Sequence, residues 1–238
     1  MSSLYTASDY KNIFEEHLSE LQAYYAQANN PLAEAVSYAL DGQGKRVRPT
    51  LVFLCNQLCS GELTDGIAAA LATEMVHCYS LIHDDLPIMD DDDMRRGRAT
   101  LHKKFDDPTA LLAGNALLTD SFLLLANPKL FLSVVHDNLN IQQKLLLQEE
   151  LSQAVGSQGI LYGQTMDMYW TKRENPTMED LDDIHLHKTG NLIAGACVMG
   201  AITANANKET QGYLKRFGNL IGLSFQIIDD VIDENKKT

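Results

Sequence analysis

The sequence predicts an all-α protein, a single large antiparallel helix bundle, on three observations. Long segments repeat apolar residues at steps of three and four. Gly, Pro and Asn cluster between those segments. Nowhere does the apolar pattern settle into the regular alternation of half-buried strands. With 238 residues, 45% of them hydrophobic, the chain can bury a sizeable core, and no repeat, linker or low-complexity stretch divides it. One domain over 1–238 is expected.

The elements follow in order. Between Met1 and Gln27, Ile13, Phe14, Leu18 and Leu21 share a helix face among Glu15, Glu16 and Glu20. DGQG at Asp41–Gly44 breaks the chain before the apolar helix of Pro49–Leu58 (PTLVFLCNQL). After SGELTDG (Ser60–Gly66), the stretch IAAALATEMVHCYSLIHDD sets Ile67, Leu71, Met75, Cys78 and Ile82 on one apolar stripe. RRGRAT around Gly97 is a break, and Ala110–Ala126 is a further buried helix. In ENPTMED, Thr177 is an N-cap with Asp180 three residues on, a variant of the capping box. Gly190–Ala204 and GNLIGLSFQII are the last apolar helices.

Charge narrows the function. A formal net charge of −13 argues against a nucleic-acid footprint. Cys55, Cys59, Cys78 and Cys197 lie in apolar segments without a CxxC pair, as expected of buried thiols in a reducing compartment. The start MSSLYTASDYKN has no secretory h-region, and no apolar run approaches membrane-spanning length. The expectation is a soluble cytoplasmic protein.

Against this background HDDLPIMDDDDM (His83–Met94) packs six aspartates into twelve residues. A second group, Asp229, Asp230 and Asp233, closes FQIIDDVID. Asp229 and Asp233 are i and i+4, so both carboxylates leave one helix face. Such a pair is tolerable if a hard divalent cation such as Mg²⁺ shares its oxygens, with waters and phosphate completing the shell. Asp84 and Asp90 are six apart, and a kink or bulge at Pro87 is the device that would realign them. One acidic turn is as readily a solvated surface. Two that end apolar helices call for a counter-ion.

Two basic knots complete the pattern. GKRVRP carries Lys45, Arg46 and Arg48, and Arg95, Arg96 and Arg98 follow the first aspartates. Guanidinium forks suit phosphate, and lysine adds a compact charge. A polyanion held directly by the basic residues and through metal by the aspartates satisfies both sets. His77 lies seven residues before Asp84, on the order of 10 Å along the same helix face; a lone helical histidine is more often structural. Lys188 and Thr189 in HLHKTG, and Gln164 and Asp167 in LYGQTMDM, read equally well as helix-end and buried polar residues.

The run GKRVRP, SLIHDDLPIMDDDDMRRG, LLAGNALL, GQTMD, HKTG and FQIIDDVID resembles the trans-isoprenyl diphosphate synthases, most of all the bacterial farnesyl diphosphate synthase (geranyltranstransferase) type. The likeness spans nearly the whole chain. It implies a helical bundle around a central cavity, a homodimer, and two aspartate motifs facing across the cavity mouth. Lys45, Arg48, His77 and Arg96 match the positions that bind isopentenyl diphosphate. Asp84, Asp90, Asp229 and Asp233 match the Mg²⁺ ligands, for several ions per site, with Mn²⁺ as a substitute. Arg95 and Lys188 match residues on the allylic diphosphate, and Thr189 and Gln226 match polar groups beside the developing cation. Tyr79, five places before the first aspartate, and Ser80 match the positions that set product chain length; an aromatic there resembles farnesyl-producing members.

The resemblance has gaps. Family members continue past the second motif, so the usual C-terminal helices are expected to be lacking, and Asn115 stands where aspartate is common. A geranylgeranyl-producing synthase, a terpene cyclase and a non-catalytic partner subunit are the rival expectations. A cyclase has no need of Lys45, Arg48 and His77 for a second diphosphate, and a non-catalytic subunit would lose aspartates that are intact here.

Overall fold

A computed structural model describes residues 5–42, 44–133, 137–171, 173 and 175–236, with the backbone alone from 229 to 236. The expected all-α bundle is present. Its helices are α1 (Ala7–Ala26), α2 (Pro31–Leu40), α3 (Val47–Leu58), α4 (Ile67–Asp84), α5 (Leu101–Lys104), α6 (Asp107–Ala126), α7 (Ile141–Val155), α8 (Ile160–Thr171), α9 (Met178–His185), α10 (Asn191–Thr203) and α11 (Lys208–Lys236). Caps written in the sequence set several starts. Thr6 with Asp9, Asn140 with Gln143 and Thr177 with Asp180 form reciprocal capping boxes, each satisfying orphan N–H groups at a helix start.

Two helices form the centre. Every residue of α10 from Leu192 to Thr203 is buried, and so is every residue of α4 from Ile67 to Val76. The single apolar stripe expected for α4 is therefore too narrow: α3 and α6 enclose it, with α10 and α1 adding further contacts, and a helix covered on all sides needs apolar or small residues all round. Four alanines close in sequence, Ala68–Ala70 and Ala72 around Leu71, allow that enclosure. Fully buried Leu71, Met75, Leu117 and Leu192 each contribute about 1.5–3 kcal/mol relative to exposure.

α6 is an exception to the expectation about apolar runs, being long and apolar enough by composition to cross a membrane. In the bundle one face, including Ala110, Ala113, Gly114, Leu117 and Leu124, is buried against α4 and α2. Gly114 permits this approach: a Cβ there would lie 2.3 Å from the His83 ring. The LLAGNALL segment thus supplies the slot into which the last turn of α4 locks. RRGRAT is not a simple break. Met94–Arg95 and Arg98–Ala99 pair as a short antiparallel hairpin, β1–β2, turning through Arg96 (φ 52°) and Gly97 (φ 77°).

Between α9 and α10, Leu186–Gly190 (LHKTG) forms a π-helical turn. It is clasped by α8 and α11. Gly163 of α8 is the contact point, since a Cβ there would stand 2.2 Å from the Lys188 backbone nitrogen. Backbone cannot step aside as a flexible side chain can. Gly163→Ala is expected to destabilise the fold by about 1–3 kcal/mol, read as a lowered urea midpoint with an unchanged m-value.

Candidate active site

A cavity of about 1530 Å³ opens between α1, α3, α4, the β1–β2 turn, the π turn and α11. Lys45, Arg48, His77, Arg96, Thr189 and Gln226 all line it, so six residues drawn from four distant motifs meet in one place. Its walls are mainly charged and polar, with Val47, Ile193 and Phe225 as the apolar members. Lys45 Nζ sits 5.7 Å from the centre of the Phe225 ring, a cation–π distance.

The cationic wall is built on Arg46. This residue caps α3 with a left-handed backbone (φ 50°) and is buried. Its Nε donates to Glu15 Oε1 at 2.8 Å and its Nη1 to Glu74 Oε1 at 2.7 Å. A positive φ costs about 1–3 kcal/mol and persists only where surroundings enforce it; here two carboxylates from α1 and α4 do so. With Arg46 spoken for, Lys45 and Arg48 on either side are left to face the cavity. Arg48 Nε is buried without a hydrogen-bond partner among the described residues. Burial lowers the Arg48 pKa, and Arg96 adds to that against the opposing pull of Glu74. Burial, then Arg48, Arg96, Arg95 and Arg46, holds His77 well below 6.5. Such a concentration of positive field around a neutral imidazole and an orphaned guanidinium N–H is a site for an anion.

A rim of carboxylates adjoins this wall. α4 ends at Asp84, ahead of Pro87, and no kinked helix continues through the motif as Pro87 had suggested. The turn instead folds the two backbones together, Asp90 N–H donating to the Asp84 carbonyl at 2.9 Å. Asp84 is pushed up to about 6, chiefly by burial, with Asp90 and Asp85 raising it and Lys188 and Arg95 lowering it. Arg95 donates through Nε to Asp85 at 2.7 Å, and Lys188 Nζ donates to Asp167 Oδ2 at 2.5 Å. Thr189 Oγ1 donates to Gln226 Oε1 at 3.1 Å. Asp229 and Asp233 lie on α11, but their side chains fall outside the described residues.

Chemically, Asp84 and Asp90 are two adjacent carboxylates, one disfavoured as an anion, while Asp85 is taken by Arg95. That donor set fits a hard divalent cation such as Mg²⁺. Tyr79 is buried, packed edge-on against His83 at 5.0 Å, and is not part of the cavity wall. Ser80 Oγ donates to the His77 carbonyl at 2.9 Å. Gln164 is buried with both amide atoms unpartnered. The sequence reading missed Glu15, Glu74 and Asp85 as members of the site. An acid isolated in an apolar run, as Glu74 is in ALATEMV, is the signal that could have found one of them, since a buried charge needs a partner.

Comparison with known proteins adds three findings. The model of the Polyprenyl synthetase family matches residues 29–238. Farnesyl diphosphate synthases of Micrococcus luteus and Bacillus subtilis (strain 168) are 44% and 42% identical over 94% and 95% of this chain, which spans 73% and 74% of theirs. An apo crystal structure of an FPP/GFPP synthase from Zymomonas mobilis superposes with a TM-score of 0.84 at 34% identity, over 96% of this chain and 83% of that one.

An anion in the cavity reverses the balance at His77. Its depressed pKa means the unfolded chain binds a proton more readily, so acidification below 6.5 costs stability through this group. Inorganic pyrophosphate is expected to raise the His77 pKa, seen as an upward shift of its imidazole C–H titration by NMR. An unmoved titration would show that the anion binds elsewhere.

Proposed function

This chain belongs to the polyprenyl synthetase family, and we propose that it joins isopentenyl diphosphate to an allylic diphosphate, dimethylallyl or geranyl, to make farnesyl diphosphate. The observation that carries this reading is that Lys45, Arg48, His77, Arg96 and Thr189 line one cavity, while the chain neighbours of the last two, Arg95 and Lys188, act on the carboxylate of Asp84. A single phosphate ligand needs only one of these two groupings.

The roles are those the family resemblance implies for these positions. Lys45, Arg48, His77 and Arg96 hold the diphosphate of the homoallylic substrate. Arg95 and Lys188 turn from Asp85 and Asp167 to the second diphosphate, exchanging one anionic partner for another. Asp84 and Asp90, with Asp229 and Asp233 from α11, would hold Mg²⁺, which when bound would supply neutralising charge to the departing diphosphate. Thr189 and Gln226 present oxygen dipoles to the electron-poor allylic carbon. The double bond of isopentenyl diphosphate attacks that carbon, the allylic C–O bond breaks, and a proton leaves to restore the alkene. Enclosure by the surrounding helices keeps water from the reactive carbon. Exposed Leu111, Leu112 and Leu123 on α6, with Ile141 and Leu145 on α7, support a homodimer across that face. The free cysteines support a reducing, cytoplasmic setting.

Supplied with isopentenyl and geranyl diphosphates and Mg²⁺, the protein is expected to yield a fifteen-carbon diphosphate, and a chelator to abolish the reaction. Asp84→Ala should lower kcat/KM by about 100-fold or more, a loss of transition-state charge stabilisation. Absence of chelator-sensitive product would overturn the assignment. Tyr79→Ala should lengthen the product, because it removes the aromatic ring packed beneath the Asp84 turn; an unchanged chain on chromatography would assign the length limit to another residue.

A further inference from the structure

Beyond the turn that carries Asp90, a second set of ligand atoms converges. One carboxylate oxygen each of Asp91 and Asp93 and one ring nitrogen of His102 lie within 4.8 Å of one another. Asp91 and Asp93 are exposed, but His102 is only 6% exposed. Its Nδ1 lies 3.2 Å from Thr100 Oγ1, while its Nε2 is buried with no partner among the described residues. With Nδ1–H donating to the threonine, the Nε2 lone pair is left for an acceptor role. A metal held at Nε2 would leave the other ring nitrogen fixed by this hydrogen bond, as is usual for a ligating histidine.

We propose that Asp91, Asp93 and His102 form a further divalent-cation site, for an ion of the Zn²⁺ class, which fills without any diphosphate and fastens the base of the β1–β2 hairpin. Imidazole with two carboxylates favours Zn²⁺, Co²⁺ or Mn²⁺ over Mg²⁺, which prefers oxygen alone. Around a tetrahedral ion the ligand atoms stand roughly 3.4 Å apart, and any closing from the present spacing falls to the two exposed aspartates. Lys103 Nζ holds Asp93 Oδ1 at 2.8 Å. That contact keeps Asp93 ionised, below the usual carboxylate range, and the carboxylate has a second oxygen to offer.

The consequence is mechanical. Asp91 and Asp93 precede the hairpin and His102 follows it, with Thr100 N–H donating to the Asp93 carbonyl at 3.0 Å across the base. A cation bound to all three adds a cross-link beside that hydrogen bond. The hairpin so closed carries Arg95 and Arg96, one to the rim and one to the cavity. Substrate is not needed for this ion, which separates it from the site at Asp84 and Asp90.

Co²⁺ and Zn²⁺, each added alone to chelator-treated full-length protein, provide the test. One equivalent of Co²⁺ should bind without diphosphate, giving visible d–d absorption that Zn²⁺ displaces. Asp93→Asn and His102→Ala should each weaken binding at least about tenfold, while Asp84→Asn changes it by less than about twofold. Asp93 is exposed, so Asp93→Asn decides the matter even if His102→Ala fails to fold. No binding at millimolar metal, equal binding by Asp93→Asn, or loss of binding in Asp84→Asn would each overturn the proposal. Prenyl transfer by the wild type with Mg²⁺ is measured separately, so failure here leaves the reading of the main site intact.

Discussion

Several guanidinium groups gathered around an imidazole on one cavity wall repel one another, and apolar burial cannot assemble them. Arg46 makes the arrangement possible. It is a buried cation whose charge is answered within the fold, by Glu15 of α1 and Glu74 of α4. A single side chain therefore ties together the three helices that bound the wall. A pair this buried adds little net stability over an apolar substitute, because desolvation offsets the attraction. Its effect is positional: it fixes the left-handed start of α3 and thereby the directions in which Lys45 and Arg48 leave the chain.

The rim resolves its charges differently. Arg95 and Lys188 rest on Asp85 and Asp167, contacts that an incoming diphosphate can replace like for like. At Asp84 burial outweighs the relief that Lys188 and Arg95 give. Its folded pKa, about 6 against 3.8, means the native chain binds a proton more tightly than the unfolded one between those values. The stability it contributes is fully present below 3.8 and is lost as pH rises through 6. At neutral pH a bound cation would remove that penalty. Wall and rim are thus both incomplete without guests, one lacking an anion and the other a cation.

Much of this was legible in the sequence because period and capping are local properties. The Thr177–Asp180 box forms as written, and Phe14, Leu18 and Leu21 are buried on α1 as their spacing requires. Lys45, Arg48, His77 and Arg96 do share a cavity, although family likeness, and not spacing, joined them. What escaped notice depends on tertiary neighbours. The β1–β2 hairpin is two residues per strand, too short for any alternation to register. Glu15 looks like one of several surface acids on α1 until Arg46 reaches it from thirty-one positions away. The enclosure of α4 on all sides is likewise a property of α3, α6 and α10 as much as of its own residues.

The π turn at Leu186–Gly190 follows from the same logic of two substrates. Lys188 must reach the rim and Thr189 the cavity, although the two are adjacent in the chain. In the structure Lys188 turns to Asp167 on α8 and Thr189 to Gln226 on α11, so one peptide serves both sides. A regular helix would bury its carbonyls in i→i−4 bonds and continue unchanged; the wider turn inserts a residue and swings the following side chain. Wider turns are poorly bonded alone, and close backbone packing stabilises this one, with Gly163 on α8 admitting the Lys188 backbone. The glycine in GQTMD and the lysine and threonine in HKTG are therefore one device seen from two helices: the first allows the contact that lets the second face two ways.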